Sequence, residues 1–263
     1  MPAKPQGPIL LTNDDGIHAP GLAALAGALS ELAPVAVVAP DAERSAFAHA
    51  ITMTTPLRTH EVHRGGARFG TAVNGTPADC VKLALHCLLP TEPRLVVSGI
   101  NHGPNTGTNV LYSGTVSAAR EGTIAGIPSL AVSLCSYAPD ADFSGAARQA
   151  RRVAEWLLRD GLPAGILLNL NVPDLPASGY RGTKATRLAR YRYRDWYEVR
   201  KDPRGRTYYW LTGEDADILD PAADVDAVAV EAGFVSITPL SYALTEEAAL
   251  PRVRDWIEGE ARG

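Results

Sequence analysis

Asp14 and Asp15 stand side by side at the end of the apolar run Ile9-Leu10-Leu11-Thr12-Asn13, and Gly16 follows them directly. An apolar run of that length, then a turn residue, then helical periodicity predicts a buried parallel strand feeding a helix. In open α/β sheets ligands bind in the crevice beyond the carboxyl ends of the strands, so both carboxylates are expected at the mouth of a site. Neighbouring carboxylates repel each other unless a cation or a proton relieves them. A single Asp would suffice to cap the next helix. The pair points instead to a hard divalent metal, Mg²⁺ or Mn²⁺ rather than Zn²⁺, because oxygen ligands suit those ions best.

Three further stretches offer oxygen ligands or anion contacts. The loop Pro40-Asp41-Ala42-Glu43-Arg44-Ser45 also follows a predicted strand; Ser45 is a candidate metal ligand through its hydroxyl, and Arg44 is placed to face an anion. A serine in a loop is by itself a turn residue, and Ser45 gains meaning only from its company. Ser98 to Gly107 is rich in glycine and asparagine after the apolar Leu95-Val96-Val97 and reads as a binding loop. Asn101 is the candidate further metal ligand and Asn105 a phosphate contact, whereas a lone loop histidine, His102, assigns no acid or base. Tyr112-Ser113-Gly114-Thr115 then opens a small-residue helix, with Ser113 as its N-cap. The free N–H groups of such a terminus, at Ser113, Gly114 and Thr115, together with Asn101 and Asn105, are expected to hold the phosphate that the metal bridges.

The elements that position these residues follow from periodicity. Pro20 begins a helix carrying Leu22, Leu25, Leu29 and Leu32, and Val35 to Ala39 is the next strand. Strand, helix, strand opens a doubly wound, mostly parallel α/β sheet. Strands are expected at Ile51 to Thr55 and Arg68 to Val73, and a helix from Thr76 or Pro77 with Cys80 and Cys87 on its buried face. Pro128 to Leu134 and Ile166 to Leu170 are strands, with an amphipathic helix over Phe143 to Leu158 between them. Residues 1–178 are read as the catalytic core and 179–263 as an extension. In the extension, residues 191 to 210 hold 7 of the chain's 13 Tyr and Trp residues, interleaved with arginines around the turn Asp202-Pro203-Arg204-Gly205. That pattern predicts a long β-hairpin over about 190–212, used as an oligomer arm. Strand structure over about 226–240, including Val228 to Val230, is expected to return to the core, and residues 246–258 form a last helix.

Composition narrows the function classes. A net charge of −4 over 263 residues recommends neither a nucleic-acid nor a membrane-surface partner. The three cysteines, Cys80, Cys87 and Cys135, form no disulfide framework or CxxC pair, which suits a reducing compartment. The opening Met1-Pro2-Ala3-Lys4-Pro5 leads into an apolar run too short for a signal peptide or a membrane span, so a cytoplasmic location is expected.

Taken together, Ile9 to Gly16, Ala39 to Ser45, Val73 to Val81, Val97 to Asn105, Tyr112 to Gly122 and Val235 to Leu240 resemble the SurE survival-protein family of 5′/3′-nucleotidases, in family order and over almost the entire chain. The resemblance implies a Rossmann-like domain and hydrolysis of nucleoside monophosphates, with short polyphosphate as a further substrate. It implies one divalent metal per subunit at Asp14, Asp15, Ser45 and Asn101, and homodimers or homotetramers formed by exchange of C-terminal elements. Asn109 departs from the family pattern, where an acidic residue often stands, and Thr106 is more polar than usual. On this reading water attacks the phosphate in line and Asp14 or Asp15 accepts its proton.

Rival chemistries fit less well. A phospho-aspartate mechanism of the haloacid-dehalogenase kind uses two carboxylates two apart, whereas Asp14 and Asp15 are adjacent. Response-regulator receivers need a strand-end Asp and Lys that do not appear after Leu95 to Val97 or Pro128 to Leu134. The remaining alternative is a nucleotide- or RNA-binding module built on the basic aromatic hairpin.

Overall fold

The computed structural model describes residues 7–194, 196–212 and 216–260, so the opening Met1 to Pro5 lies outside the described residues. The strands are β1 (Ile9–Thr12), β2 (Val35–Pro40), β3 (Thr59–Arg64), β4 (Ala67–Val73), β5 (Leu95–His102), β6 (Ser129–Cys135), β7 (Ile166–Pro173), β8 (Thr183–Ala185), β9 (Tyr191–Tyr193), β10 (Tyr197–Lys201), β11 (Thr207–Leu211), β12 (Ala216–Ile218) and β13 (Val235–Ser241). The α-helices are α1 (Pro20–Ser30), α2 (Pro77–Leu83), α3 (Gly114–Ile124), α4 (Ser144–Asp160), α5 (Asp226–Glu231) and α6 (Leu250–Glu260). Nine strands form one sheet in the order β3-β4-β2-β1-β5-β6-β7-β13-β8. The six from β4 to β7 run parallel; β3 and β13 are antiparallel to their neighbours β4 and β7.

The central strand shows why the sheet is covered on both faces. Successive side chains of a strand point to opposite sides. Ile9 and Leu11 enter one core with Leu22, Leu25 and Leu29 of α1 and Val153 and Leu157 of α4. Leu10 enters the other with Cys80 and Val81 of α2 and Ala118 of α3. All three β1 side chains are fully buried, each stabilising the fold by about 1.5–3 kcal/mol. Because β1 pairs with β2 on one side and β5 on the other, the strand order reverses at β1, and its carboxyl end faces the crevice where such sheets bind ligands.

Five expectations about elements are corrected. Residues 51–55 join no ladder; the backbone N–H and hydroxyl of Thr52 donate to Asp79 instead, and the edge strand is β3. Val228 to Val230 lie in α5, not in a strand, because a buried Ala229 and the packing of this short helix on β7 and β13 override β-branched preference. Cys80 is buried but Cys87 is exposed: α2 passes into a π-helical turn over Ala84–Leu88, which spoils the seven-residue spacing. The binding loop begins later than its composition suggests, since β5 continues through His102 with a register slip against β6 between Ser98 and Asn101. The hairpin extends further than expected: β10 pairs with β11, and beyond them β9 pairs with β12.

Asp79 ties the loop after β2 to α2. It completes a capping box with Thr76 and accepts the N–H and hydroxyl of Thr52 at 2.9 and 2.6 Å. Burial pushes its pKa up, but these hydrogen bonds outweigh burial and hold it below the usual value. A depressed carboxylate contributes stability above its unfolded pKa of about 4, and that stability is lost as pH falls through the folded value. Asp79→Ala is therefore expected to cost about 2 kcal/mol at pH 7 by urea unfolding, with the gap to wild type narrowing below about pH 4.

Candidate active site

Asp14 and Asp15 sit just beyond β1, where Asn13 turns the chain by donating its side-chain N–H to the Gly16 carbonyl at 2.9 Å. The loop after β2 is fastened beside them, because the Arg44 N–H donates to the Asp14 carbonyl at 2.7 Å. Asp14 is nearly buried, and the Thr115 hydroxyl donates a short hydrogen bond to its Oδ1. The N-terminus of α3 approaches so closely that a Cβ on Gly114 would lie 2.8 Å from Asp14 Cβ and Oδ2, so only glycine fits there. Burial raises the Asp14 pKa despite the bonds from Thr115 and the α3 amides. Burial and the Asp14 charge push Asp15 up to about 7, opposed by the His102 N–H, which donates to Asp15 Oδ2 at 3.2 Å.

A cleft of about 450 Å³ opens over this pair. Asp14, Asp15, Ser45, Asn101, Asn105 and Ser113 all line it, so six of the eight sequence-derived candidates share one space. Gly114 and Thr115 lie behind Asp14 and turn toward its carboxylate, which takes the place at the helix terminus expected for a phosphate oxygen. The Ser113 hydroxyl caps α3 by accepting the Val116 N–H at 3.0 Å. Ser45 is exposed and donates to Glu43 Oε1 at 2.7 Å, which leaves its oxygen lone pairs to the cleft. Asn101 donates its side-chain N–H to the Gly103 carbonyl at 2.8 Å, orienting Oδ1 as an acceptor near Thr115.

Asn105 is a keystone as well as a lining residue. Its side-chain N–H donates to Ser133 Oγ at 2.8 Å, and its carbonyl accepts from Asn169 and Asn171 at 2.8 and 3.0 Å. The signal for this anchor is visible in β7 as two asparagines two apart within an apolar strand, both buried on one face. Arg44 pairs with the Asp41 carboxylate at 3.2 Å and does not line the cleft. His102 is held by a hydrogen bond of 2.8 Å to the Ala138 carbonyl and by an edge contact with Phe143. Glu43, Tyr112 and Tyr137, to which sequence reasoning assigned no role, also line the cleft, as does Asn109, the departure from the family pattern.

The residues fit a divalent metal of the hard class. Among the described residues no group of three His, Cys, Asp or Glu side chains is placed to hold a metal, and no Lys or Arg lines the cleft. The charge of the carboxylate pair is thus unbalanced by the protein, and the donors in the cleft are the carboxylates of Asp14 and Asp15, with Glu43 beside Ser45, and the neutral oxygens of Asn101 and Ser45. An all-oxygen set suits Mg²⁺ or Mn²⁺ and not Zn²⁺.

Comparison with known proteins supplies the lineage. The family described as Survival protein SurE matches residues 9–195. The 5′-nucleotidase SurE of Moorella thermoacetica is 57% identical over 90% of this chain and 91% of its own, and that of Heliobacterium modesticaldum is 50% identical over 95% and 92%. The crystal structure of the SurE protein from Aquifex aeolicus superposes with a TM-score of 0.81 at 37% identity, covering 95% of this chain and 99% of the other. Family match, sequence identity and superposition agree: the chain belongs to the SurE survival-protein family.

Proposed function

We propose that this protein is a metal-dependent 5′-nucleotidase that hydrolyses nucleoside monophosphates to nucleoside and phosphate. The observation that carries this reading is the uncompensated Asp14–Asp15 pair at the sheet's switch point, in a chain whose relatives are named 5′-nucleotidases. Asp14, Asp15, Ser45 and Asn101 would hold Mg²⁺ or Mn²⁺. Bound there, the ion supplies charge neutralisation to a phosphoryl group, the largest need in phosphate monoester hydrolysis.

The chain's own groups supply positioning. Asn101, Asn105 and Ser113 present side-chain groups to the phosphate from the cleft wall, while Gly114 and Thr115, behind Asp14, hold that carboxylate in place. Asp14 is engaged by Thr115, so Asp15 is the carboxylate free to act: its Oδ2 accepts the His102 N–H, and Oδ1 takes the proton of the attacking water. The exposed aromatics of β10 and β11 and the exposed face of α6 support assembly into a homodimer or homotetramer through the C-terminal elements. Arg194, Arg200 and Arg206 in this arm are ion-paired, which argues against its use on nucleic acid. No helix among the described residues is long and apolar enough to cross a membrane.

The test is phosphate release from a panel of nucleoside 5′- and 3′-monophosphates, before and after EDTA, with Mg²⁺ or Mn²⁺ restored. Release lost to EDTA and recovered with either ion is expected. Release indifferent to EDTA would remove the metal from the reading, and no release from any member would remove the nucleotidase.

A further inference from the structure

The cleft is larger than a phosphate needs. At about 450 Å³ it falls in the range of sites that enclose whole small ligands, and its lining is not confined to carboxylates and amides. Two aromatic side chains from separate elements also line it: Tyr112, directly before the α3 cap, and Tyr137, just after β6. Both are well exposed, 58% and 76%, so neither ring is spent on the core. Single exposed aromatics are ordinary on a protein surface. Two lining one polar cleft, from separate elements, are a different observation.

Tyr112 is fixed through its backbone. Its N–H donates to the Asn109 carbonyl at 3.0 Å, and its own carbonyl accepts from Ala48 at 3.2 Å. Tyr137 is fixed through its ring, which lies against Gly103 so closely that a Cβ there would meet Cε1 at 2.5 Å. Asn109 lines the same space. The Tyr193 hydroxyl donates to its Oδ1 at 2.6 Å, which leaves the amide N–H groups of Asn109 as its remaining hydrogen-bonding capacity.

We infer that Tyr112 and Tyr137 form a nucleobase subsite, stacking the base of a substrate whose phosphate lies at Asp14 and Asp15. Asn109 donates to the base's acceptor edge, and Tyr193 is a positioning residue that sets the orientation of that amide. Every base offers a π-face, so the subsite selects nucleotides over other phosphomonoesters more strongly than one base over another. This inference deepens the nucleotidase reading and rests on it.

The test compares nucleoside 5′-monophosphates with ribose 5-phosphate and glycerol 2-phosphate, using wild type, Tyr112→Ala, Tyr137→Ala and Tyr193→Phe. Wild type is expected to favour the nucleotides over ribose 5-phosphate by at least about tenfold in kcat/KM. Each alanine variant should lower the nucleotide value by about tenfold, chiefly through KM, and lower the ribose 5-phosphate value far less. Competitive inhibition by free nucleosides should weaken in the same two variants. Tyr193→Phe should narrow the spread among bases with little effect on ribose 5-phosphate. Equal losses on nucleotide and ribose 5-phosphate, or no loss at all, would overturn the subsite while leaving the phosphatase reading intact. Failure of wild type to release phosphate from all three classes would overturn the nucleotidase reading and the subsite with it.

Discussion

Asp15→Asn should abolish catalysis and stabilise the metal-free fold in the same protein. Activity on nucleoside monophosphates is expected to fall by at least about 10²–10³-fold, because the change removes both a cation ligand and the proton acceptor. Stability should move the other way. In the folded chain burial and the Asp14 charge hold Asp15 up at about 7, whereas an unfolded Asp titrates near 4. A raised carboxyl pKa means that the unfolded state ionises first, so the metal-free wild type loses stability as pH rises from about 4 to 7. Asparagine removes the charge and with it that loss. A gain of at least about 1 kcal/mol, or about 2–4 °C in Tm, is expected at pH 7.5 in EDTA, shrinking to nothing near pH 4. Asp14→Asn should abolish activity likewise but with a smaller gain in stability, since it also disturbs the Thr115 hydroxyl hydrogen-bonded to that carboxylate. Thermal scans with phosphate-release assays on both variants check each arm.

The second large effect lies far from the carboxylate pair in sequence. Asp226 is fully buried at the start of α5, and its carboxylate accepts N–H groups from Gly107, Ala189 and Ala227, each at 2.8 Å. Gly107 ends the stretch that carries Asn101 and Asn105, and Ala189 belongs to the segment leading into the hairpin, so one side chain joins the active-site loop to the extension. Burial raises the Asp226 pKa, and those amide bonds oppose it. Asp226→Ala would strand the Gly107 and Ala189 N–H groups in a dry interior, at about 1–3 kcal/mol each. A total near 4 kcal/mol, or about 8–16 °C in Tm, is expected. Asp226→Asn retains one acceptor and relieves the buried charge, and should fall between alanine and wild type. Urea unfolding of the two variants decides the order; alanine no worse than asparagine would mean that the three amides find other partners.

Local patterns carried much of the fold. The β1 run, the Pro20 helix start, the Ser113 cap and the apolar strands β2, β5, β6 and β7 follow from hydrophobic period, capping chemistry and chain breakers. Reading failed where those local signals conflicted with packing. Val228 to Val230 look like a strand but cover β7 and β13 as part of α5. Cys87 shares a helical spacing with Cys80, yet a π-helical turn carries it to the surface. Residues 51–55 have β-branched composition but spend Thr52 on Asp79.

At the site the division is similar. The sequence by itself determined that two adjacent carboxylates end a buried strand, that a serine loop and an asparagine loop end its neighbours, and that a capped helix follows, because strand ends and caps are local facts. Tertiary structure alone decided that Gly114 and Thr115 face Asp14, that Asn169 and Asn171 anchor Asn105, and that Tyr193 holds Asn109. Those contacts join residues from 64 to 101 positions apart, and no periodicity or spacing encodes which distant partners a folded sheet brings within hydrogen-bond reach.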